Sequence, residues 1–246
     1  RRADWTDDRV DAAGTPAERP YRYRQSLFSS LYQRYHYMGM NADMLRRFPA
    51  LSRYFRLTLG RGAGDSPDAF SYLRESFGRP YGRVVNWERW LVQRENAGAE
   101  SIPGLMARRS RMGISDPARI AFDFEGRGTD LGRGQFRFDF DADPRVFGAT
   151  TGPVDIYVTY WDEGGSRFAI YAQTRAGLER SPVVNVGAKR GFRTARFRFP
   201  SLDPGNRLGT NSDLSIVVEN DRNLVVTLVR AVKATPAAPG GEAAIR

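Results

Sequence analysis

The residues best suited to ligand chemistry lie around a Gly-rich turn in the stretch VDIYVTYWDEGGSRFAIY. Apolar and polar residues alternate on both sides of this turn, which predicts a β-hairpin with a row of aromatic rings on one face. Rings beside carboxylates suit sugars, because apolar sugar faces pack on rings and hydroxyl groups need acceptors. In the alternative interpretation, the helical part of the chain covers this face and the rings are ordinary core. The candidate ligand-binding residues are Tyr157, Trp161, Asp162, Glu163 and Tyr171.

Basic residues are densest just before and within the predicted strand GFRTARFRFP. Such a patch could meet an anionic polysaccharide, lipid head groups at a membrane surface, or an acidic protein surface. The alternative is a solvated face of the sheet. The whole chain carries a net charge of +10, but its arginines are spread through segments of mixed sign, which argues against a nucleic-acid-binding surface. The patch consists of Lys189, Arg190, Arg193, Arg196 and Arg198.

Three carboxylates alternate in the segment DFDADP: Asp139, Asp141 and Asp143. Oxygen ligands of this kind could hold a structural Ca²⁺ ion together with Asp123 and Glu125, although the spacing is not that of an EF-hand. The alternative is that these carboxylates are solvated or paired with neighbouring arginines. We predict no other cofactor.

The scarcity of nucleophilic side chains limits the catalytic chemistry open to this chain. It contains no cysteine and one histidine, His36, so thiolate nucleophiles and multi-histidine metal sites are excluded. Carboxylates remain, and on a helix Glu88 and Glu95 would share a face about 10 Å apart, at the far limit for an inverting glycosidase. The alternative is that Glu88 forms ion pairs with Arg89 and Arg94. We therefore expect a non-catalytic protein.

Helical spacing and capping signals predict a helical segment over residues 23–100. The run YRQSLFSSLYQRYHYMGMNADMLRRF has apolar residues three to four apart. Ser66 and Pro67 are suited to the N-cap and first turn of a helix SPDAFSYLRESFG that would end at Gly78. A last helix is predicted over VVNWERWLVQREN.

From residue 101 to 234 the period changes to two. At least seven alternating segments, separated by Gly, Pro, Asn and Asp, predict an antiparallel β-sandwich. The chain should thus be mainly β with an α-helical N-terminal part: a jelly-roll-like sandwich packed with several helices. Residues 1–22 are predicted to be an extended arm, and residues 235–246 a flexible tail.

The ends and the hydropathy of the chain bear on its location. No run approaches the roughly 18 apolar residues of a membrane span. The start, RRADWTDDRV, has neither Met nor the apolar core of a signal peptide, so we expect a processed or excised chain.

Four segments follow one another along the chain: SLYQRYHYMGMNADMLRRFPALSRYFRLTLG, SPDAFSYLRESFG, VVNWERWLVQREN and DLSIVVENDRNLVVTLVRAV. In their order and spacing they resemble the C-terminal portion of large secreted bacterial proteins of glycoside-hydrolase-like architecture. In those proteins a helical stretch runs into a jelly-roll module similar to carbohydrate-binding domains. The resemblance spans residues 21–232. Fewer than about 120 residues precede the predicted sandwich, whereas a catalytic barrel takes about 250.

The resemblance implies an extracytoplasmic, periplasmic or secreted, carbohydrate-binding module without catalysis, whose partner is a polysaccharide. A second hypothesis is an accessory or scaffold subunit of a larger cell-envelope assembly, with the sandwich as a protein-binding surface. A third is a glycan-active enzyme that uses carboxylates.

Overall fold

A computed structural model describes residues 27–34, 46, 49–78, 82–84, 86–104, 122–124, 126–148, 152–205 and 207–234. The helices are α1 (27–32), α2 (Pro49–Thr58) and α3 (Pro144–Phe147), and a 3₁₀ turn covers Leu131–Arg133. The strands are β1 (Asp68–Tyr72), β2 (Glu75–Gly78), β3 (Gly82–Val84), β4 (Trp87–Arg89), β5 (Leu91–Arg94), β6 (Ile102–Pro103), β7 (Phe122–Phe124), β8 (Arg127–Gly128), β9 (Arg137–Ala142), β10 (Val154–Trp161), β11 (Arg167–Thr174), β12 (Gly177–Arg180), β13 (Val184–Asn185), β14 (Phe192–Phe199), β15 (Leu214–Val218) and β16 (Val225–Lys233).

Two antiparallel sheets form the body of the protein. Sheet 1 has the order β14-β10-β16-β1-β4, with β8 beside β16 and β6 beside β8. Sheet 2 has the order β12-β11-β15-β9-β5, with β13 beside β11. A small third sheet has the order β3-β2-β7. The predicted mainly β fold, an antiparallel sandwich with few helices, is therefore confirmed, while the jelly-roll connectivity stays a prediction.

The main core lies between sheets 1 and 2. Ile156 and Val158 of β10 face Phe138 and Phe140 of β9 and Ile170 of β11 within one cluster of buried side chains. These residues are the apolar members of the alternating segments, so the period-two pattern identified the inner faces correctly.

The helical segment predicted over residues 23–100 is wrong for the described residues between 68 and 94. Residues 27–32 and Pro49–Thr58 are helical, but SPDAFSYLRESFG forms β1 and β2, and VVNWERWLVQREN contains β4 and β5. The Ser66 hydroxyl donates to the Asp68 carbonyl at 2.6 Å in a turn rather than capping a helix. All five residues of β1 are buried. A strand buried on both faces loses its alternation, so local capping signals favoured a helix that pairing with β16 and β4 overrode.

Helices α1 and α2 cover part of the outer face of sheet 1. Phe28 of α1 and Phe55 of α2 pack with Phe70, Tyr72 and Leu228 in a second buried cluster. The covered strands are β1 and β16, and β1 and β4 lie within the segment predicted to be helical. The sandwich is thus not confined to residues 101–234.

Several sequence predictions fall outside the described residues, among them the arm at 1–22, the tail at 235–246, His36 and Glu125. Within the described part of the chain, no helix is long and apolar enough to cross a membrane.

Candidate functional site

The chain passes from sheet 1 to sheet 2 at one residue, Trp90. β4 pairs with β1 of sheet 1, whereas β5 pairs with β9 of sheet 2. Trp90, between them, has a φ of 62°, a left-handed conformation that is rare for a bulky side chain and costs about 1–2 kcal/mol. The backbone is held from both sides, by a bridge to Phe70 and by the Asp143 N–H, which donates to the Trp90 carbonyl at 2.9 Å. Such strain persists where the surrounding structure imposes it, often at functional sites.

Trp90 contributes to a cavity of about 500 Å³ at this corner. The volume is in the usual range for small-ligand sites, about 300–1,000 Å³. The residues that line the cavity lie in the turn that ends α1, at the β4–β5 corner, at the end of β9 and at the start of α3. Its lining residues are Arg34, Glu88, Trp90, Val92, Asp141, Asp143, Pro144 and Arg145.

Guanidinium groups surround the Trp90 indole. The guanidinium carbons of Arg34 and Arg145 lie 4.6 and 5.3 Å from its ring centroid, and that of Arg89 lies 5.9 Å away. These distances are within the range of cation–π attraction. The indole N–H is buried and has no acceptor among the described residues. Trp90 is therefore held in place by charge contacts and backbone geometry rather than by a hydrogen bond from its ring.

The Asp143 carboxylate is fixed at the start of α3. It accepts from the Arg145 backbone N–H at 2.8 Å and forms an ion pair with the Arg145 guanidinium at 2.6 Å. Hydrogen bonding from Arg145 lowers the pKa of Asp143. Asp141, at the end of β9, pairs with Arg94 of β5.

Glu88 has no arginine at hydrogen-bonding distance among the described residues. It accepts from the Gln93 backbone N–H at 2.8 Å, from the Ser71 hydroxyl at 3.0 Å and from the Asn86 amide at 3.3 Å. Burial raises the pKa of Glu88, and these hydrogen bonds offset only part of that effect. The cavity thus contains carboxylates in contrasting environments, one desolvated and two bound by arginines.

The predicted hairpin at residues 154–174 is wrong, because its two strands belong to different sheets. β10 pairs with β14 and β16, whereas β11 pairs with β12, β13 and β15. The Gly-rich turn connects the two layers, and its composition is equally suited to a hairpin or to such an arch. Tyr157 and Tyr171 therefore lie on separate sheets and do not join in one row of rings.

Trp161, a candidate ligand-binding residue, is buried, with 6% of its surface exposed. Its ring packs edge-on against Phe192 at 5.2 Å between centroids, and its indole N–H donates to Glu163 at 2.9 Å. Asp162 is buried, accepts from the Gly187 N–H and pairs with Arg193 at 2.7 Å. The ring is buried, as the alternative interpretation holds, but its ring contact is with Phe192 of β14 rather than with the helical part of the chain.

Four of the five residues of the basic patch pair with carboxylates of the β10 region. Arg196 and Arg198 both bind the buried Asp155, at 2.7 and 2.9 Å. Burial raises the pKa of Asp155, but hydrogen bonds from these two arginines outweigh it, and the net pKa is lowered. Arg193 binds Asp162, and Arg190 binds Glu163 at 2.9 Å. The charge of the patch is thus largely compensated within the fold, and an anionic partner there stays a prediction.

The three alternating carboxylates considered for calcium, Asp139, Asp141 and Asp143, are bound by arginines. Asp139 is fully buried, pairs with Arg137 at 3.1 Å and accepts from the Ser215 hydroxyl at 2.6 Å. Asp141 and Asp143 pair with arginines as described above. Among the residues that the structure describes, no group of three or more acidic or histidine side chains is arranged to hold a metal ion. The arrangement gives the calcium prediction no support.

Glu88 and Glu95, considered as a carboxylate pair on one helix face, do not share such a face, because both residues lie outside helices. Glu88 is in β4 of sheet 1, and Glu95 follows β5 of sheet 2 and pairs with Arg127 at 2.6 Å. Glu88 instead shares the cavity with Asp141 and Asp143. The sequence signal for this site was the close spacing of Trp87, Glu88 and Trp90 in NWERW, which the helical interpretation obscured.

Comparison with models of protein families found no match to this chain, and comparison with curated proteins found none either. The resemblance to glycoside-hydrolase-like proteins therefore stays a prediction.

Proposed function

We propose that this protein is a non-catalytic, extracytoplasmic carbohydrate-binding protein whose sugar site is the cavity at Trp90. The observation that carries the proposal is one indole in a cavity of about 500 Å³, ringed by carboxylates and guanidinium groups. An indole can pack on the apolar face of a sugar ring, and the charged groups offer acceptors and donors to hydroxyl groups. The extracytoplasmic location rests on the resemblance given above.

Rigidity of the site favours binding. Trp90 is held by both sheets, Asp143 by Arg145, and Glu88 by three donors. Because these side chains are already ordered, a ligand loses little free energy to ordering them.

The state of the carboxylates favours binding over turnover. Glycoside hydrolysis would need a basic or nucleophilic carboxylate opposite an acid. Glu88, with its raised pKa, has the character of an acid, and Asp143, with its lowered pKa, stays ionised. Both Asp143 carboxylate oxygens accept hydrogen bonds from the Arg145 guanidinium, however, so neither is free to attack a sugar carbon or to activate water. Asp141 is likewise bound by Arg94.

Affinity electrophoresis through gels that contain a polysaccharide tests the proposal. At least one polysaccharide should retard the wild-type protein, and Trp90→Ala should weaken that affinity about tenfold or more. Tyr32→Ala is the matched control, because Tyr32 is an exposed aromatic residue of α1 outside the cavity. It should bind as the wild type does.

Absence of retardation by any neutral or charged polysaccharide would overturn the proposal and favour the scaffold hypothesis. If the protein releases reducing ends from a bound glycan, and if Glu88→Gln abolishes this release, the protein is an enzyme instead.

A further inference from the structure

The charges of the cavity are mostly compensated in pairs. Asp143 is paired with Arg145, and Asp141 is paired with Arg94. Glu88 is bound by neutral donors, and its burial disfavours its charge. The remaining charged residue of the lining is Arg34.

Arg34 forms no side-chain hydrogen bond or ion pair with a carboxylate among the described residues, although its charge contributes to the lowered pKa of Asp143. It lies in the turn that ends α1, where its backbone N–H donates to the Leu31 carbonyl at 3.1 Å and its φ is 57°. Its side chain is exposed, and its guanidinium carbon lies 4.6 Å from the Trp90 ring centroid. Arg145, at 5.3 Å from the same centroid, already uses its Nε and Nη2 atoms on Asp143.

A guanidinium that lies over an indole keeps its N–H groups at its edges. Those donors form two parallel hydrogen bonds with a planar carboxylate, and they also bind sulfate. Among the described residues, no hydrogen bond joins these donors of Arg34 to a protein acceptor, so an anionic group is the partner that would use them.

Building on the proposed function, we propose that the ligand is an anionic saccharide, with its sugar ring in the Trp90 cavity and its carboxylate or sulfate bound by Arg34. Arg34 is then the residue that determines the preference for charged over neutral sugars. The anionic group lies at the edge of the Arg34 guanidinium, while hydroxyl groups meet the carboxylates.

Affinity electrophoresis with three probes tests this: polygalacturonate for a carboxylate, dextran sulfate for a sulfate, and dextran as the neutral polysaccharide. The wild-type protein should bind one anionic probe more tightly than dextran. Arg34→Gln should weaken that binding about tenfold or more, since it removes charge-assisted hydrogen bonds, and should leave dextran binding unchanged. Comparison of the two anionic probes distinguishes a uronate from a sulfated sugar.

The matched control is Arg53→Gln, which removes the same charge from an exposed position of α2 outside the cavity. It should leave the preference for the anionic probe intact. If Arg34→Gln and Arg53→Gln weaken the affinity for the anionic probe equally, the inference is overturned, because only the net charge of the protein would then matter. The wild-type protein could instead bind dextran and both anionic probes with equal affinity and lose that affinity in Trp90→Ala. This result would overturn the inference but leave the proposed function standing. If the wild-type protein binds none of the three probes and no other polysaccharide, both the inference and the proposed function are overturned.

Discussion

Two tryptophans of this protein have similar sequence neighbours and opposite surroundings. Trp161 is followed by Asp162 and Glu163, and Trp90 follows Glu88 by two residues. Trp161 ends a regular strand, packs on Phe192 and donates its indole N–H to Glu163. Trp90 sits at a left-handed corner, has no acceptor for its indole N–H among the described residues, and lies among guanidinium groups beside a cavity.

The difference shows which features indicate a binding residue. An aromatic ring beside carboxylates is not sufficient, because Trp161 satisfies that description and is core. Backbone strain and polar groups that the fold leaves without partners are better indicators, since a well-packed interior removes both. Trp90 has both features, and Trp161 has neither.

The largest expected effect comes from Trp161→Ala. It should lower the free energy of unfolding by about 3–5 kcal/mol, because a large buried ring leaves a cavity. Urea denaturation measures the loss, and Trp161→Phe should cost less because it keeps the contact with Phe192. A loss below about 1 kcal/mol for Trp161→Ala would mean that the two tryptophans do not differ as described.

The corner at Trp90 can be tested by two substitutions that remove the same ring. Trp90→Gly should be more stable than Trp90→Ala by about 1 kcal/mol, because glycine adopts a φ of 62° without the steric penalty of a Cβ. Urea denaturation of both variants gives the difference. If Trp90→Ala is the more stable variant, the corner is not strained and the contrast with Trp161 weakens.

Glu88→Gln tests the desolvated carboxylate beside Trp90. The folded-state pKa of Glu88 is raised, so its stabilising contribution is present below the unfolded pKa of about 4.5 and is lost as pH rises through the folded pKa. The wild-type protein should therefore lose stability relative to Glu88→Gln as pH rises from about 4 to about 8. Urea midpoints across this range check the direction. Parallel pH profiles for the two proteins would contradict it.

The smallest effect is expected for Glu163→Gln, beside Trp161. Hydrogen bonds from Trp161 and Arg190 lower the pKa of Glu163, but the group is exposed to solvent. Glutamine keeps an acceptor for the indole N–H, and exposed ion pairs contribute little. Thermal melts of variant and wild type should coincide. A melting temperature as low as that of Trp161→Phe would show that the Glu163 contact is essential to this tryptophan.

Much of the fold could be predicted from sequence, and the errors have a common cause. Segments such as GQFRFDFDAD alternate because their apolar residues face the main core and their polar residues lie on the opposite face, and their strands were found. The segment DAFSY has no such alternation, since Ala69 faces the main core while Phe70 and Tyr72 face the helices. Its preceding Ser and Pro then favoured a helix, and the strands that contain the candidate site were misassigned with it.

The sequence by itself determined the class of the protein. A chain without cysteine, with one histidine and with at least seven alternating segments had to build an antiparallel sandwich and could rely only on carboxylates, arginines and aromatic rings for its chemistry. Only the tertiary structure decided which ring and which charges meet. Trp90 joins Arg34 and Asp143 because β4 and β5 lie at the edges of different sheets and the chain crosses between them at one residue, a long-range packing that no local spacing encodes.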